Sequence, residues 1–236
     1  MEVSKTRNFK LAYLINERKL RELDSIIKEV SDEIEYEVSC IDGTSIKFTT
    51  LEDLINYPNR KEKQYKEIEV RTSYRSSRPV RIHVNFMSYQ YADSIRFRIS
   101  GDERNVDYQA GRIEGFINSL KQWYSFLAVN NIISTFIVVF IAQLIPVAIM
   151  YSLGILNKFH SLWWIGFITA MIAIFVYDKV KVYLFPISAF ELGDGIDRIK
   201  NLNFVRNLIL VGIFLTIVLT YLVNQIPNIG ENFLTK

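Results

Sequence analysis

Hydrophobic residues are distributed very differently in the two halves of the chain. The second half contains three long apolar stretches, at about 127–153, 162–177 and 208–223, and the first half contains none. The first and third stretches carry no Asp, Glu, Lys or Arg. A bilayer core about 30 Å thick is crossed by about 20 apolar helical residues. The pattern therefore predicts a soluble domain over 1–126 and a membrane domain over 127–236.

The soluble half changes between helical and strand periodicity. Apolar residues follow one helical stripe over 17–30, and a long helix is predicted over 105–126. Thr50-Leu-Glu-Asp53 is typical of a capping box that opens a short helix. Alternating apolar residues predict strands at 33–41, 45–48, 67–74, 79–86 and 94–99. The order α-ββ-α-βββ-α indicates an α+β domain with a mostly antiparallel sheet, one face of which is packed by helices.

The membrane domain is expected to be all-α, with three transmembrane helices. The predicted spans are about 127–153, 161–180 and 205–224, and the loop at 181–204 is predicted to be cytoplasmic. Five Lys or Arg lie in 178–206, whereas the segments expected to face outward carry only Lys158 and Lys236. By the positive-inside rule, the N-terminus is expected in the cytoplasm and the C-terminus outside the membrane.

The polar face of the predicted sheet is unevenly charged. Residues 60–98 contain ten Lys or Arg against four Asp or Glu, whereas residues 1–59 contain eight basic and twelve acidic residues. A basic face with nearby aromatic rings can bind a polyphosphate backbone and stack bases. The candidate ligand-binding residues are Arg71, Arg75, Arg78, Arg81, His83, Arg96, Arg98, Tyr89 and Tyr91. Three alternatives stay open: cross-strand pairing with glutamates, contact with anionic headgroups, and subunit contacts.

Polar residues inside the predicted spans form a second candidate site. Such groups seldom face lipid; they bond between helices or line a water-filled path. Because three spans are too few to enclose a path, a pore would require an oligomer. No ionisable residue lies in the middle of a span, which argues against a proton-coupled transporter. The candidate pore-lining residues are Asn131, Thr135, Gln143, Thr216, Thr220 and Asn224.

Two segments are predicted to connect the soluble domain with the spans. The helix over 105–126 would run almost directly into the first span. The loop after the second span is apolar over 184–190 and then turns at Gly193-Asp-Gly195, which indicates either a short interfacial or re-entrant element or a plain structured connection. The candidate gating or coupling residues are Trp123, Tyr124, Pro186, Phe190, Gly193 and Gly195.

No pattern typical of catalysis occurs in the chain. The sequence has no nucleophile elbow, no HExxH motif and no phosphate-binding glycine loop. The single cysteine, Cys40, permits no intrachain disulfide, and the two histidines are far apart in sequence. We therefore expect neither an enzyme nor a bound cofactor or metal.

The layout of the chain resembles the membrane effectors of bacterial antiphage systems, in which a small cytoplasmic α+β sensor is fused to a few spans. Leu184–Phe190 and Gly193-Asp-Gly195 look like a recurring pattern in such proteins. The chain is similar in layout to the Hailong-type effector, which is partnered with a nucleotidyltransferase. That resemblance implies an ion-channel-like homo-oligomer, such as a tetramer, held shut by DNA oligomers that the partner makes. It assigns no functional residue.

Together these observations predict an oligomeric effector of the bacterial inner membrane that acts in antiphage defence by abortive infection. Its cytoplasmic domain would bind a nucleotide or nucleic-acid signal and gate an ion-conducting or membrane-disrupting channel. The expected partners are membrane lipids, further copies of the chain and the signal made by the nucleotidyltransferase. The alternative is a membrane-anchored scaffold whose cytoplasmic domain binds a protein.

Overall fold

A computed structural model of the chain describes residues 2–73, 80–88, 93–129 and 159–225, together with Thr135. The strands are β1 (Glu2–Phe9), β2 (Tyr13–Asn16), β3 (Ile34–Cys40), β4 (Ser45–Phe48), β5 (Tyr65–Thr72), β6 (Arg81–Met87), β7 (Ile95–Asp102) and β8 (Ser188–Glu191). The helices are α1 (Glu17–Lys28), α2 (Leu51–Asn56), α3 (Glu103–Ser119), α4 (Ser125–Val129), α5 (Phe159–Leu184) and α6 (Gly195–Gln225).

Six strands form one antiparallel sheet in the order β1-β7-β6-β5-β3-β4. Tyr36 lies opposite Val70, Val70 opposite Val84, and Val84 opposite Phe97. Directly opposite residues share a face, so the alternating apolar side chains form one buried layer. Buried residues of α1 and α3, such as Ile113, belong to the same core. The predicted α+β domain with a mostly antiparallel sheet is confirmed.

Short-range signals place the ends of several elements. The Oδ1 atom of Asn16 accepts a hydrogen bond from the backbone N of Lys19 at 3.0 Å and caps α1. The Oγ1 atom of Thr50 accepts from the N of Asp53 at 3.2 Å, so the predicted capping box opens α2. Gly43, in the predicted turn between β3 and β4, has a φ of 83°, a conformation that favours glycine.

The predicted element order is wrong at the N-terminus, where it contains no strand before α1. Strand β1 pairs with β7 along its whole length, from Glu2 opposite Asp102 to Phe9 opposite Ile95. The residues of β1 are mostly exposed or half-buried. An edge strand with two partly solvated faces lacks the apolar alternation that reveals a half-buried strand. Its charged composition therefore hid it.

The predicted helix over 105–126 is also wrong in its last part. Helix α3 ends at Ser119, and the chain then runs beside β2. The backbone N of Leu14 donates to the O of Leu120 at 3.4 Å, and the N of Gln122 donates to the O of Ala12 at 2.9 Å. Hydrogen bonding to β2 replaces the helical bonds that the apolar spacing had suggested.

A second, two-stranded sheet joins β2 to β8 in parallel, with Tyr13 opposite Ser188 and Asn16 opposite Glu191. Strand β8 lies within the predicted cytoplasmic loop. The chain divides into two compact units, Met1–Ile196 and Asp197–Lys236. The first unit thus contains β8 together with the whole six-stranded sheet.

Among the described residues, one helix is long and apolar enough to cross a membrane, over Gly195–Thr216, and 6% of its apolar window is buried. A helix from a soluble core would be mostly buried. Helix α5 has 26 residues and α6 has 31. Large apolar side chains on both are exposed: Ile168, Met171, Ile172, Phe175 and Val176 on α5, and Phe204, Leu208, Val211, Phe214 and Leu215 on α6. Most of the predicted first span lies outside the described residues.

Candidate functional site

The basic residues predicted to share one face of the main sheet do share it. Arg71 lies opposite His83, and His83 lies opposite Arg98. Arg81 and Arg96 are each two positions from one of these residues on the same strand and therefore point to the same side. The other predicted ligand-binding residues, Arg75, Arg78, Tyr89 and Tyr91, lie outside the described residues.

Arg71 is surrounded by carboxylates on this face. Its Nε atom lies 3.0 Å from an oxygen of Glu35, its Nη1 atom 3.2 Å from one of Glu69, and its Nη2 atom 3.8 Å from one of Glu37. Partial burial opposes ionisation, but these carboxylates outweigh it and raise the pKa of Arg71. Cross-strand pairing, one of the alternatives drawn from the sequence, is therefore the arrangement found at this residue.

His83 extends the same network. Its Nε2 atom lies 3.1 Å from Oε1 of Glu69. The neighbouring imidazole, and after it the guanidinium of Arg71, hold the pKa of the Glu69 carboxyl below its usual range, although partial burial opposes them. The side chain of Glu69 is 22% exposed, so the surrounding water screens these charges only partly.

Arg96 and Arg98 have a different environment from Arg71. The Nε atom of Arg96 donates to Oδ1 of Asn8 at 3.1 Å, and that of Arg98 donates to Oγ of Ser4 at 3.2 Å. Both arginines are exposed, and within the described part of the chain their hydrogen-bond partners are neutral. Neutral acceptors leave the positive charge of the two guanidiniums uncompensated.

The polar face is thus divided into two halves. Glutamates of β3 and β5 surround Arg71 on one half, whereas Arg96 and Arg98 of β7 form a basic strip on the other. A depression of about 290 Å³ joins the halves, and Glu69, Arg71, Arg81, His83, Arg98 and Ser100 line it together with two neighbours. The face is therefore of mixed charge, because the glutamates alternate on the same side as the arginines, as the alternative of cross-strand pairing predicted.

The segment Phe185–Leu192, which we call the return segment, inserts into the soluble domain. Phe190 is 6% exposed and belongs to the main core. Its ring lies edge-on to those of Tyr13 and Tyr65, with centroid distances of 6.0 Å and 6.4 Å. The sequence left open an interfacial or re-entrant element and a plain structured connection for this loop, and the structure anchors the loop by an aromatic side chain in the core of the domain.

Backbone contacts hold the end of the return segment in place. Gly193 has a φ of 50°, and a Cβ atom there would lie 2.7 Å from the backbone N of Asn59 and 3.1 Å from the O of Tyr57. The side chain of Asn59 is buried; its Oδ1 atom accepts from the N of Tyr65 at 3.0 Å, and its Nδ2 atom donates to the O of Phe190 at 3.4 Å. Asn59 was missed from the sequence, where it reads as an ordinary turn residue after Pro58.

Trp123 and Tyr124, which follow the end of α3, meet the return segment. The ring of Phe185 lies 5.6 Å from that of Tyr124 and 6.5 Å from that of Trp123. Tyr124 is buried, whereas Trp123 is 56% exposed. The Oγ atom of Ser125, the first residue of α4, accepts from the N of Ala12 at 2.9 Å. We call residues 120–129 the exit segment. Hydrogen bonds from Ala12 and β2 hold the exit segment beside the return segment.

Pro186 and Gly195 mark the ends of this connection. Helix α5 ends at Leu184, which is where a helix is expected to end before Phe185-Pro186. Gly195 is the first residue of α6, and its N donates to the O of Leu192 at 2.9 Å. The two residues therefore mark the ends of the stretch that connects α5 to α6 and that packs in the domain.

The predicted pore-lining residues are described only in part. Thr216, Thr220 and Asn224 follow one another at four-residue steps on α6, which places them near one helical face. Thr216 is exposed, and its Oγ1 atom donates to the O of Gly212 at 2.8 Å. Asn131 and Gln143 lie outside the described residues, and Thr135 is helical.

No protein family, curated protein or solved structure matches this chain. Two features of its geometry bear on its role: the divided polar face of the main sheet, and the small sheet through which the exit and return segments meet.

Proposed function

We propose that the chain is an oligomeric membrane effector in which an anionic ligand on the cytoplasmic domain controls a path through the membrane. The observation that carries the proposal is the insertion of β8 into the soluble domain beside β2. Antiphage defence by abortive infection, and a nucleotide or oligonucleotide signal from a partner nucleotidyltransferase, are part of the proposal because the layout of the chain resembles such effectors.

Membrane residence is supported by the exposed apolar surfaces of α5 and α6. Helix α5, with 26 residues, would be about 39 Å long, which exceeds the bilayer core. The chain leaves the domain through the exit segment and is back in it at β8. A chain that starts and ends on one side of a membrane crosses it an even number of times between these points. This favours two spans before β8 and a third after it, with the C-terminus outside.

Coupling between domain and membrane is supported by the position of β2. The backbone N of Tyr13 donates to the O of Ile187 at 2.9 Å on the return segment, while Ala12 and Leu14 bond to the exit segment. Strand β2 leads directly into α1, which packs in the main core. A ligand-dependent shift of that core would therefore move both segments that enter the membrane helices.

An anionic ligand is supported by the strip of Arg96 and Arg98. Lys and Arg side chains that meet phosphates supply most of the affinity of nucleic-acid binding, and that affinity falls with salt. Arg71 is a weaker candidate because three carboxylates already surround it. We therefore place the ligand over β6 and β7, with Arg71 and Glu69 at its border.

Reconstituted liposomes test both parts of this proposal. Purified protein should conduct ions, and a DNA oligomer or nucleotide should change the flux. The double variant R96E/R98E should keep the oligomer size and lose the response, whereas R104E, an exposed arginine on α3, should respond like the unmodified protein. Flux that never appears under any of these conditions would refute the channel, and an unchanged response in R96E/R98E would refute the ligand site.

A membrane-anchored scaffold is the second candidate function. The carboxylate shell of Arg71 favours it, because a face of mixed charge suits a protein partner as well as a polyanion. Salt dependence separates the two functions. A phosphate-dominated site loses affinity for a DNA oligomer steeply as salt increases, so weak and salt-insensitive binding of DNA, together with no ion flux, would favour the scaffold.

A further inference from the structure

A cleft of about 500 Å³ lies between the end of α5 and the small sheet. Its polar lining consists of Lys179 and Lys181 of α5, Ser188 of β8, and Gln64 and Ser88 next to β5 and β6. No acidic side chain is among the described residues that line it. Each of the three other principal clefts in the described part of the chain includes at least one Asp or Glu. This cleft is therefore suited to an anion.

The opposite wall of the same cleft is apolar. It includes Val182, Phe185, Pro186 and Ile187, with Ala128 of α4. Above it along α5, side chains such as Phe175 and Val176 are exposed. A ligand that filled the cleft would therefore offer a negative group to the lysines and an apolar part to the helix surface. A small hydrophilic anion satisfies only the first requirement.

The two lysines lie in different environments. Lys179 is exposed, whereas Lys181 is 4% exposed and its Nζ atom lies 6.0 Å from the ring centroid of Tyr177. Lysines near the end of an apolar helix extend their ammonium groups toward the membrane surface. Basic clefts at the cytoplasmic end of membrane helices are suited to lipid phosphates.

We propose that this cleft binds the phosphate of an anionic phospholipid from the cytoplasmic leaflet, whose acyl chains lie along α5. The lipid would contact α5, the return segment and the start of β5 together, and would stabilise the docked position of β8. The proposal rests on the membrane location given above. It does not depend on channel activity or on a ligand at Arg96 and Arg98.

Thermal unfolding of delipidated full-length protein in detergent tests the cleft. A ligand that binds only the folded state raises the unfolding temperature with increasing concentration. Phosphatidylglycerol should raise it until saturation, whereas phosphatidylcholine and inorganic phosphate should have little effect. The variants K179Q and S88A, both at exposed positions, should weaken the apparent affinity for phosphatidylglycerol, K179Q by about fivefold.

K200Q is the matched control, because Lys200 is an exposed lysine near the start of α6. It should bind phosphatidylglycerol like the unmodified protein. Equal stabilisation by phosphatidylcholine would refute an anion site, and equal stabilisation by inorganic phosphate would show an anion site that does not need a lipid. Equal weakening by K200Q and K179Q would show nonspecific attraction. Release of the protein from membranes by alkaline carbonate would instead refute the membrane location, which separates the two failures.

Discussion

The main sheet and the small sheet are built in opposite ways. In the main sheet, most neighbouring strands follow one another along the chain, and β3, β5, β6 and β7 each contribute an alternating row of apolar side chains to one core. The small sheet joins Tyr13–Asn16 to Ser188–Glu191, on either side of the exit segment and α5. The first arrangement is encoded by a repeated pattern, whereas the second depends on a few individual residues.

The difference has an energetic consequence. Opening of the main sheet exposes a continuous core. Undocking of the return segment exposes Phe190 and Leu192, together with the small cluster against which Phe185 and Ile187 pack. Local openings that expose little apolar surface need less free energy than global unfolding. We therefore expect the return segment to open while the main sheet stays folded.

The largest effect is expected from truncating one buried ring in each sheet. F97A removes a fully buried ring of β7, and such a change costs about 3–5 kcal/mol of global stability. F190A removes a comparable ring, but its global cost is limited to the smaller free energy that keeps the return segment docked. Denaturant unfolding in detergent measures the global cost. Hydrogen exchange should show faster exchange in F190A confined to β2 and β8.

Equal global losses in F97A and F190A would contradict this prediction, because they would show that both sheets unfold as one unit. Fast exchange spread over the main sheet in F190A would contradict it as well. V84A, at a buried position in the main sheet, is a further control and should behave like F97A, with a smaller loss.

The contrast also explains what the sequence could predict. Alternation revealed β3 to β7, and the Thr50 capping box revealed α2, because these signals are local. Strand β8 was not predicted, because four residues between two apolar segments carry too little pattern and their partner is remote in sequence. The shared face of Arg71, His83 and Arg98 followed from alternation. The pairing of Arg71 with glutamates was one of three alternatives left open, because it depends on the register with Glu35 and Glu69.

Two glycines with positive φ, Gly193 and Gly43, test how closely the backbone packs next to the return segment. Gly193 has backbone atoms of Asn59 and Tyr57 within 3.1 Å of where a Cβ would lie, whereas Gly43 has nothing within 4 Å. Alanine at either position costs about 1–2 kcal/mol for the left-handed conformation. G193A should cost more than G43A in thermal unfolding, because backbone must also move. A smaller loss for G193A than for G43A would show that the segment shifts freely.

Asn59 allows a finer test of the same contact. N59A would leave the backbone N of Tyr65 and the O of Phe190 without their side-chain partner, at a cost of about 1–3 kcal/mol. N8A is the control, since Asn8 accepts a bond from the exposed Arg96, and should cost less than about 0.5 kcal/mol. Chemical denaturation compares the two variants. Similar losses would mean that Asn59 does not hold the return segment to β5.

Acid should weaken the polar face of the main sheet, whereas the contacts of Asn59 are neutral and should not respond. The pKa of Glu69 is lowered in the folded protein, first by His83 and then by Arg71. Its carboxylate therefore adds stability above the unfolded pKa of about 4.3, and this stability is lost as the pH falls through the lower folded value. The expected contribution at neutral pH is about 0.5–1 kcal/mol.

E69Q isolates this contribution. The unfolding temperatures of the unmodified protein and E69Q should differ most near neutral pH and converge as the pH falls below about 4. E52Q is the control; Arg21 also lowers the pKa of Glu52, but that pair is exposed, and water screens it. A difference between the unmodified protein and E69Q that stayed constant with pH would assign the effect of the substitution to packing. Convergence would show that the carboxylate of Glu69 stabilises the main sheet through its charge. The contacts that Asn59 makes to the return segment involve no charge.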